Sequence, residues 1–216
     1  MSNNPTVIAI DGTFASGKGT LGKRLAAHMS FAYLDTGKLY RAVAAKALSA
    51  GADLLNGPSC AKFATSLSLA DLDDPTLKSG PVGAAASKVA VHTEVRDALL
   101  HFQRNFALSP PKPFKGAVLD GRDIGTVICP DARIKLYVDA DPEVRAERRH
   151  KELVSYGEDI TQAEVLAQLQ ERDHRDMNRD EAPLKPAANA HLLDTTNLSI
   201  DAAFTAAISI VEAALK

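Results

Sequence analysis

Apolar residues fall on consecutive rather than alternate positions in Thr6-Val7-Ile8-Ala9-Ile10-Asp11, the pattern of a short strand buried on both faces, and glycine follows immediately. Leu21, Leu25, Ala26 and Met29 then recur at helical spacing. Similar strand-like runs lie at Phe31 to Leu34, Ala117 to Leu119, Ile134 to Val138 and Leu192 to Leu193, separated by segments of helical period. Five strands alternating with helices predict an α/β fold, a five-stranded parallel sheet covered on both faces. The last segment aligns Ile200, Ala203, Phe204, Ala207, Ile208, Val211, Ala214 and Leu215 on one helical stripe, with Ser199 as its N-cap. Between Gly51 and Val82 the periodicity weakens, and Gly57-Pro58, Asp74-Pro75 and Gly80-Pro81 mark turns, so this stretch is expected as a small insertion off the core. Ser109-Pro110-Pro111-Lys112-Pro113 is expected as an extended linker between a long helix and the third strand.

A chain of 216 residues can bury a sizeable core, and one α/β domain with insertions is the simplest organisation. The formal net charge of -2 exerts no general pull toward nucleic acid or anionic membrane, so an anion site must come from local clusters of Arg and Lys. Cys60 and Cys129 match neither a metal-ligand nor a CxxC spacing, and two reduced thiols in a cytoplasmic protein are expected. Met1 to Pro5 shows no basic segment running into an apolar one, and no later apolar run is long enough to span a bilayer. The six histidines form no ligand spacing, which argues against a structural metal.

Chemistry first appears in Gly12-Thr13-Phe14-Ala15-Ser16-Gly17-Lys18-Gly19-Thr20, placed between the first strand and the first helix. Glycines there let backbone N–H groups converge on phosphate oxygens, the helix N-terminus adds positive potential, and Lys18 can bridge the terminal phosphates. Gly19 stands where the generic motif has Ser or Thr, which leaves Thr20 as the hydroxyl for a magnesium ion carried by ATP. A glycine-rich turn with a surface lysine is the bland alternative. No guanine-reading Asn-Lys-x-Asp segment occurs at Asp194 to Leu198, which disfavours a GTPase. The third strand ends in Asp120-Gly121-Arg122-Asp123-Ile124-Gly125-Thr126, a segment suited to a substrate site. Arg172, Arg175, Asp176 and Arg179 fall at i, i+3, i+4 and i+7, so three guanidiniums and a carboxylate are expected on one helical face. Arg175 and Arg179 repel at that spacing, a conflict an anionic ligand between them would relieve.

With Asp35-Thr36-Gly37-Lys38-Leu39-Tyr40-Arg41, Ala86-Ser87-Lys88-Val89-Ala90 through Arg96, Arg145 to His150 and Glu171 to Arg179, the ordered motifs resemble the bacterial cytidylate kinases over nearly the whole chain. In that family Gly17-Lys18-Gly19-Thr20 is the usual form of the loop. Lys38 departs from the small residue common at its position. The resemblance implies a three-layer P-loop kinase fold over 1–216, with a monophosphate-binding insertion at 36–107 and a lid at 143–165. It implies ATP-dependent phosphorylation of CMP and dCMP by a monomer, with ATP held by Gly12, Thr13, Phe14, Ala15, Ser16, Gly17, Lys18, Gly19 and Thr20.

It further implies that Lys18, Arg122, Arg149 and Arg179 act on the transferred group. Arg41, Arg122 and Arg179 would hold the acceptor phosphate, and Arg172 and Asp176 the sugar hydroxyls. Ser87, Arg96 and Asp123 would read the base, and Asp35 belongs to the same substrate set. Cytosine offers an amine to a carboxylate, and a ring nitrogen and carbonyl to a guanidinium, which suits Asp123 and Arg96. Other P-loop kinases of adenylate or shikimate type are alternatives, but the Phe-Pro-Arg continuation of adenylate kinases is missing after Asp120-Gly121. A non-catalytic nucleotide-binding module is the remaining one, and it would not need cations on both donor and acceptor sides.

Overall fold

The computed structural model describes residues 5–215; Met1 to Asn4, where part of the expectation about the N-terminal segment falls, and Lys216 lie outside the described residues. Five parallel strands, β1 (Thr6–Gly12), β2 (Ala32–Asp35), β3 (Gly116–Gly121), β4 (Ile134–Asp139) and β5 (His191–Asp194), form one sheet in the order β2-β3-β1-β4-β5. All five coincide with the apolar runs to within two residues at either end, β2 beginning one residue later than its run, at Ala32. Parallel neighbours require crossover helices, and helices lie on both sides of the sheet. Eight α-helices follow among the described residues: α1 (Lys18–Met29), α2 (Thr36–Ser49), α3 (Gly57–Thr65), α4 (Gly80–Val89), α5 (Thr93–Leu108), α6 (Pro142–Ser155), α7 (Gln162–Asn178) and α8 (Ile200–Leu215). Ser199 caps α8, its hydroxyl accepting from the Ala202 amide at 3.1 Å, and Pro142 opens α6.

The chain divides into two units. The first, an α/β unit of residues 1–35, 104–151 and 160–216, contains the sheet. Its core joins Ile8, Ile10, Val118, Ile134, Leu136 and Val138 of the strands to Leu21, Leu25 and Ala26 of α1 and Ala207 and Val211 of α8. The connection after β1 runs toward β2 and that after β4 toward β5. The strand order therefore reverses at the carboxyl ends of β1 and β4, where open α/β sheets bind ligands.

The second unit, residues 36–103 and 152–159, is helical, with α2 packed on α3 and α4. The Gly51 to Val82 stretch, expected as turns, is largely helical instead. Asn56 caps α3, accepting from the Ser59 amide at 2.9 Å, and Pro58 sits in its first turn. Asp74 and Pro75 open a short 3-10 turn at Pro75–Lys78, and Pro81 enters the first turn of α4. The proline pairs do mark turns, but each turn starts a helix, and elements of four to ten residues are too short to show a clear period. Ser79 contributes no side-chain bond to the start of α4; the Gly80 amide donates instead to Glu158 at 2.7 Å.

Leu136 is fully enclosed between α1, α8 and the neighbouring strands. Leu136→Ala should lower unfolding stability by about 2–5 kcal/mol, read as a reduced denaturation midpoint at unchanged slope in urea titration.

Candidate active site

The phosphate loop leaves β1 through a contact that only glycine can make. A Cβ on Gly12, whose φ is +153°, would lie 1.9 Å from the Val138 carbonyl oxygen of β4. Ala15 (φ +61°) and Gly17 (φ +91°) also take the left-handed region, curling the loop around its own amides. Ser16 Oγ and Lys18 Nζ both donate to the Thr13 carbonyl, at 3.0 and 3.1 Å. Thr13 Oγ1 donates to Asp139 at the end of β4, and Thr195 Oγ1, just past β5, donates to the Ser16 carbonyl at 2.8 Å. Gly17, at the N-cap of α1, brings no side-chain acceptor, so the first turn of that helix presents its amides and dipole to an anion.

Lys18 is buried, 9 % exposed, among other charges. Burial and the neighbouring Arg122 pull its ammonium below the usual lysine range, against the pull of Asp120 and Asp35. Asp120, at the end of β3, is buried as well, and burial together with Asp35 pushes its carboxyl up. Tyr33 Oη donates to Asp120 at 2.9 Å, and burial with this carboxylate raises the phenol far above its ordinary value, so the hydroxyl stays a donor.

Guanidiniums surround the loop. Arg172 lies 4.2 Å and Arg149 5.5 Å from the ring centre of Phe14, the loop's one aromatic residue. Arg145, at the start of α6, donates to the Ala140 and Phe14 carbonyls and pairs with buried Asp173 at 2.7 Å. Arg148 donates to Thr195 through both its carbonyl and its hydroxyl. Arg122 donates to Asp176 at 2.8 Å, and Arg172 stands 3.9 Å from the same carboxylate. Burial alone would raise Asp176, yet Arg122 and Arg172 hold it below the usual carboxylate value. Arg179 lies 3.8 Å from Asp123.

The shared face expected for α7 needs correcting. The helix ends at Asn178, and Arg179 follows in extended backbone (ψ 145°), donating to the Ala182 carbonyl. Arg175 pairs with Glu171 one turn earlier. The anticipated repulsion between Arg175 and Arg179 is thus removed by chain geometry and an intrahelical ion pair.

In the helical unit, Arg41 on α2 donates to the Leu77 carbonyl at 2.6 Å and lies against Gly83 of α4. Ser87, one turn further along α4, is buried and donates to the Gly83 carbonyl at 3.5 Å. Arg96 is buried on α5. The residues expected from the sequence therefore group as Lys18 with Asp35, Arg122 with Arg172 and Asp176, Arg179 with Asp123, and Arg41 with Ser87 through Gly83. Asp120, Asp139, Thr195 and the Arg145–Asp173 pair had no assigned part. Asp120 stood inside a recognised motif, and its position after an apolar strand was the available signal. Thr195 and Asp139 gave none, because their contacts span 179 and 126 residues.

A family model described as cytidylate kinase matches residues 8–213. The chain belongs to the cytidylate kinase family. Relatives named cytidylate kinase include those of Rhodopseudomonas palustris, 57% identical over 96% of both chains, and Nitrobacter winogradskyi, 56% identical over 95% of both. An uncharacterized protein from Eubacterium ventriosum shares the fold at TM-score 0.56 and 15% identity, covering 96% of this chain and 98% of its own. A gluconokinase from Sinorhizobium meliloti does so at TM-score 0.50 and 14% identity, covering 98% of this chain and 94% of its own. At such identities the likeness concerns the fold alone.

Gly12→Ala should abolish detectable ATP binding in calorimetry and lower the melting temperature, because the added carbon meets backbone that cannot yield.

Proposed function

We propose that the protein transfers the γ-phosphoryl group of ATP directly to CMP and dCMP, forming CDP and dCDP. The supporting observation is a phosphate loop at the end of β1 beside a second strand end, β3, that delivers a charged substrate segment with Arg122 and buried Asp123. Gly12 to Thr20 take the triphosphate, with Lys18 bridging its terminal phosphates. Arg122, Arg149 and Arg179 neutralise charge on the transferred group; their guanidiniums stay protonated even when buried. Arg41, Arg122 and Arg179 hold the acceptor phosphate, Arg172 and Asp176 the sugar, and Ser87, Arg96 and Asp123 the base, with Asp35 in the same substrate set.

The acceptor is itself a phosphate whose second pKa is about 6, so it arrives largely dianionic and no side chain has to remove a proton. The work of the protein is to align two phosphates and offset their repulsion. Asp120 and Asp35 offer carboxylate oxygens near Lys18, and Thr20 is an exposed hydroxyl in the first turn of α1; such oxygen donors suit Mg2+, which keeps several waters and leans on substrate phosphates. Bound there with ATP, Mg2+ would supply further charge neutralisation. Segment 143–165 acts as a lid, and the enzyme works as a cytoplasmic monomer. Among the described residues no helix is long and apolar enough to cross a membrane, and Cys60 and Cys129 are free thiols.

Two substitutions test the two halves of this reading. Lys18→Ala should reduce phosphoryl transfer to every acceptor to background in a coupled ADP-release assay. Asp123→Ala should lower kcat/KM for CMP about tenfold to a hundredfold and leave that for UMP unchanged, since an unpaired cytosine amine costs roughly 1 to 3 kcal/mol. Retention of the wild-type CMP-over-UMP ratio would place base recognition elsewhere.

A further inference from the structure

Thr195, the residue after β5, is only 4 % exposed and has no part in the mechanism above. Its hydroxyl lies among three polar neighbours: the Ser16 carbonyl at 2.8 Å, the Asp139 carbonyl at 3.1 Å and a guanidinium nitrogen of Arg148 at 3.2 Å. A guanidinium only donates, so toward Arg148 the hydroxyl accepts, and its one proton goes to a carbonyl. The Asp139 carbonyl already accepts from the Thr195 amide at 2.8 Å. The shorter approach, to Ser16, therefore takes the proton, across 179 residues of sequence. Arg148 also donates to the Thr195 carbonyl at 2.7 Å, which fixes the backbone that carries the hydroxyl.

The carbonyl held in this way belongs to the peptide joining Ser16 to Gly17. A trans peptide is planar, with its N–H pointing opposite its C=O, so fixing the Ser16 carbonyl fixes the direction of the Gly17 amide. Gly17 needs such a restraint. It stands at the N-cap of α1 with φ +91°, and glycine, lacking a Cβ, lets the peptide plane before it turn over at little cost. A Cβ at Gly17 would meet nothing within 4 Å among the described residues, so side-chain packing does not hold the loop there. Earlier carbonyls of the loop have their own donors: Thr13 accepts from Ser16 and Lys18, and Phe14 from Arg145.

We propose that Thr195 is a positioning residue for the triphosphate, its hydroxyl holding the Ser16 carbonyl away from the anion so that the Gly17 amide faces it. This rests on the placement of ATP at Gly12 to Thr20. The hydroxyl acts through a single peptide plane, and what it secures is an amide bond to a charged oxygen, the stronger class of hydrogen bond.

Two variants separate the hydroxyl from the packing of the residue, since Thr195→Val removes it and keeps the branched shape, whereas Thr195→Ser keeps it. With valine, KM for ATP and the calorimetric Kd of a non-hydrolysable ATP analogue should rise about tenfold while KM for CMP stays within about twofold, and serine should remain within about threefold of wild type throughout. In proton–nitrogen correlation spectra the analogue should shift the Gly17 amide in the wild-type and serine proteins. In the valine protein that shift should be lost while the Lys18 and Gly19 amides still respond; a merely structural defect would blunt all three together. If Thr195→Val binds the analogue as the wild type does while Lys18→Ala loses transfer, the positioning role is wrong and the phosphate loop stands. If Lys18→Ala keeps transfer, both are wrong. A serine variant as weak as the valine one would also refute the role of the hydroxyl. Should Thr195→Val fail to fold, a wild-type Gly17 amide left unmoved by the analogue would itself overturn the proposal.

Discussion

The α/β unit is organised around one backbone contact, the approach of Gly12 to the Val138 carbonyl. A side chain at that point would push the departing chain away from β4, and the loop could not curl tightly enough to aim successive amides at one anion. With the contact made, Thr13 reaches Asp139, Thr195 reaches the Ser16 carbonyl, and Lys18 is drawn back over the Thr13 carbonyl. The contact is held by the sheet, in which β1, buried from Val7 to Gly12, pairs with β4 and sets Gly12 opposite Val138.

Charge in a buried site must be balanced. Isolated cations in the interior are too costly to keep, and three guanidiniums here have a carboxylate or carbonyl partner: Arg122 has Asp176, Arg145 has Asp173, and Arg179 has the Ala182 carbonyl beside Asp123. Lys18 is set between Arg122 on one side and Asp120 and Asp35 on the other. Such pairs do not maximise stability. They keep positive charge in place inside the fold.

Much of this was legible along the chain because it is local. Consecutive β-branched residues followed by glycine identify a buried parallel strand, and Gly12 to Thr20 compress strand end, loop and helix start into nine residues. The helices between Gly57 and Val89 were less visible, since their start signals coincide with turn signals and their lengths fall short of a full apolar repeat. Arg179 shows the same limit at a helix end. A face drawn at i, i+3, i+4 and i+7 supposes that the helix continues, and α7 stops one residue early.

The identity of the charged groups, the phosphate loop and the parallel sheet were determined by the sequence itself, because each depends on residues within a few turns of one another. Which charge meets which was decided only by the fold. Asp11 and Gly125, Thr13 and Asp139, and Arg145 and Asp173 are brought together by strand order and crossover connections, which carry no signature in the spacing of the residues they join.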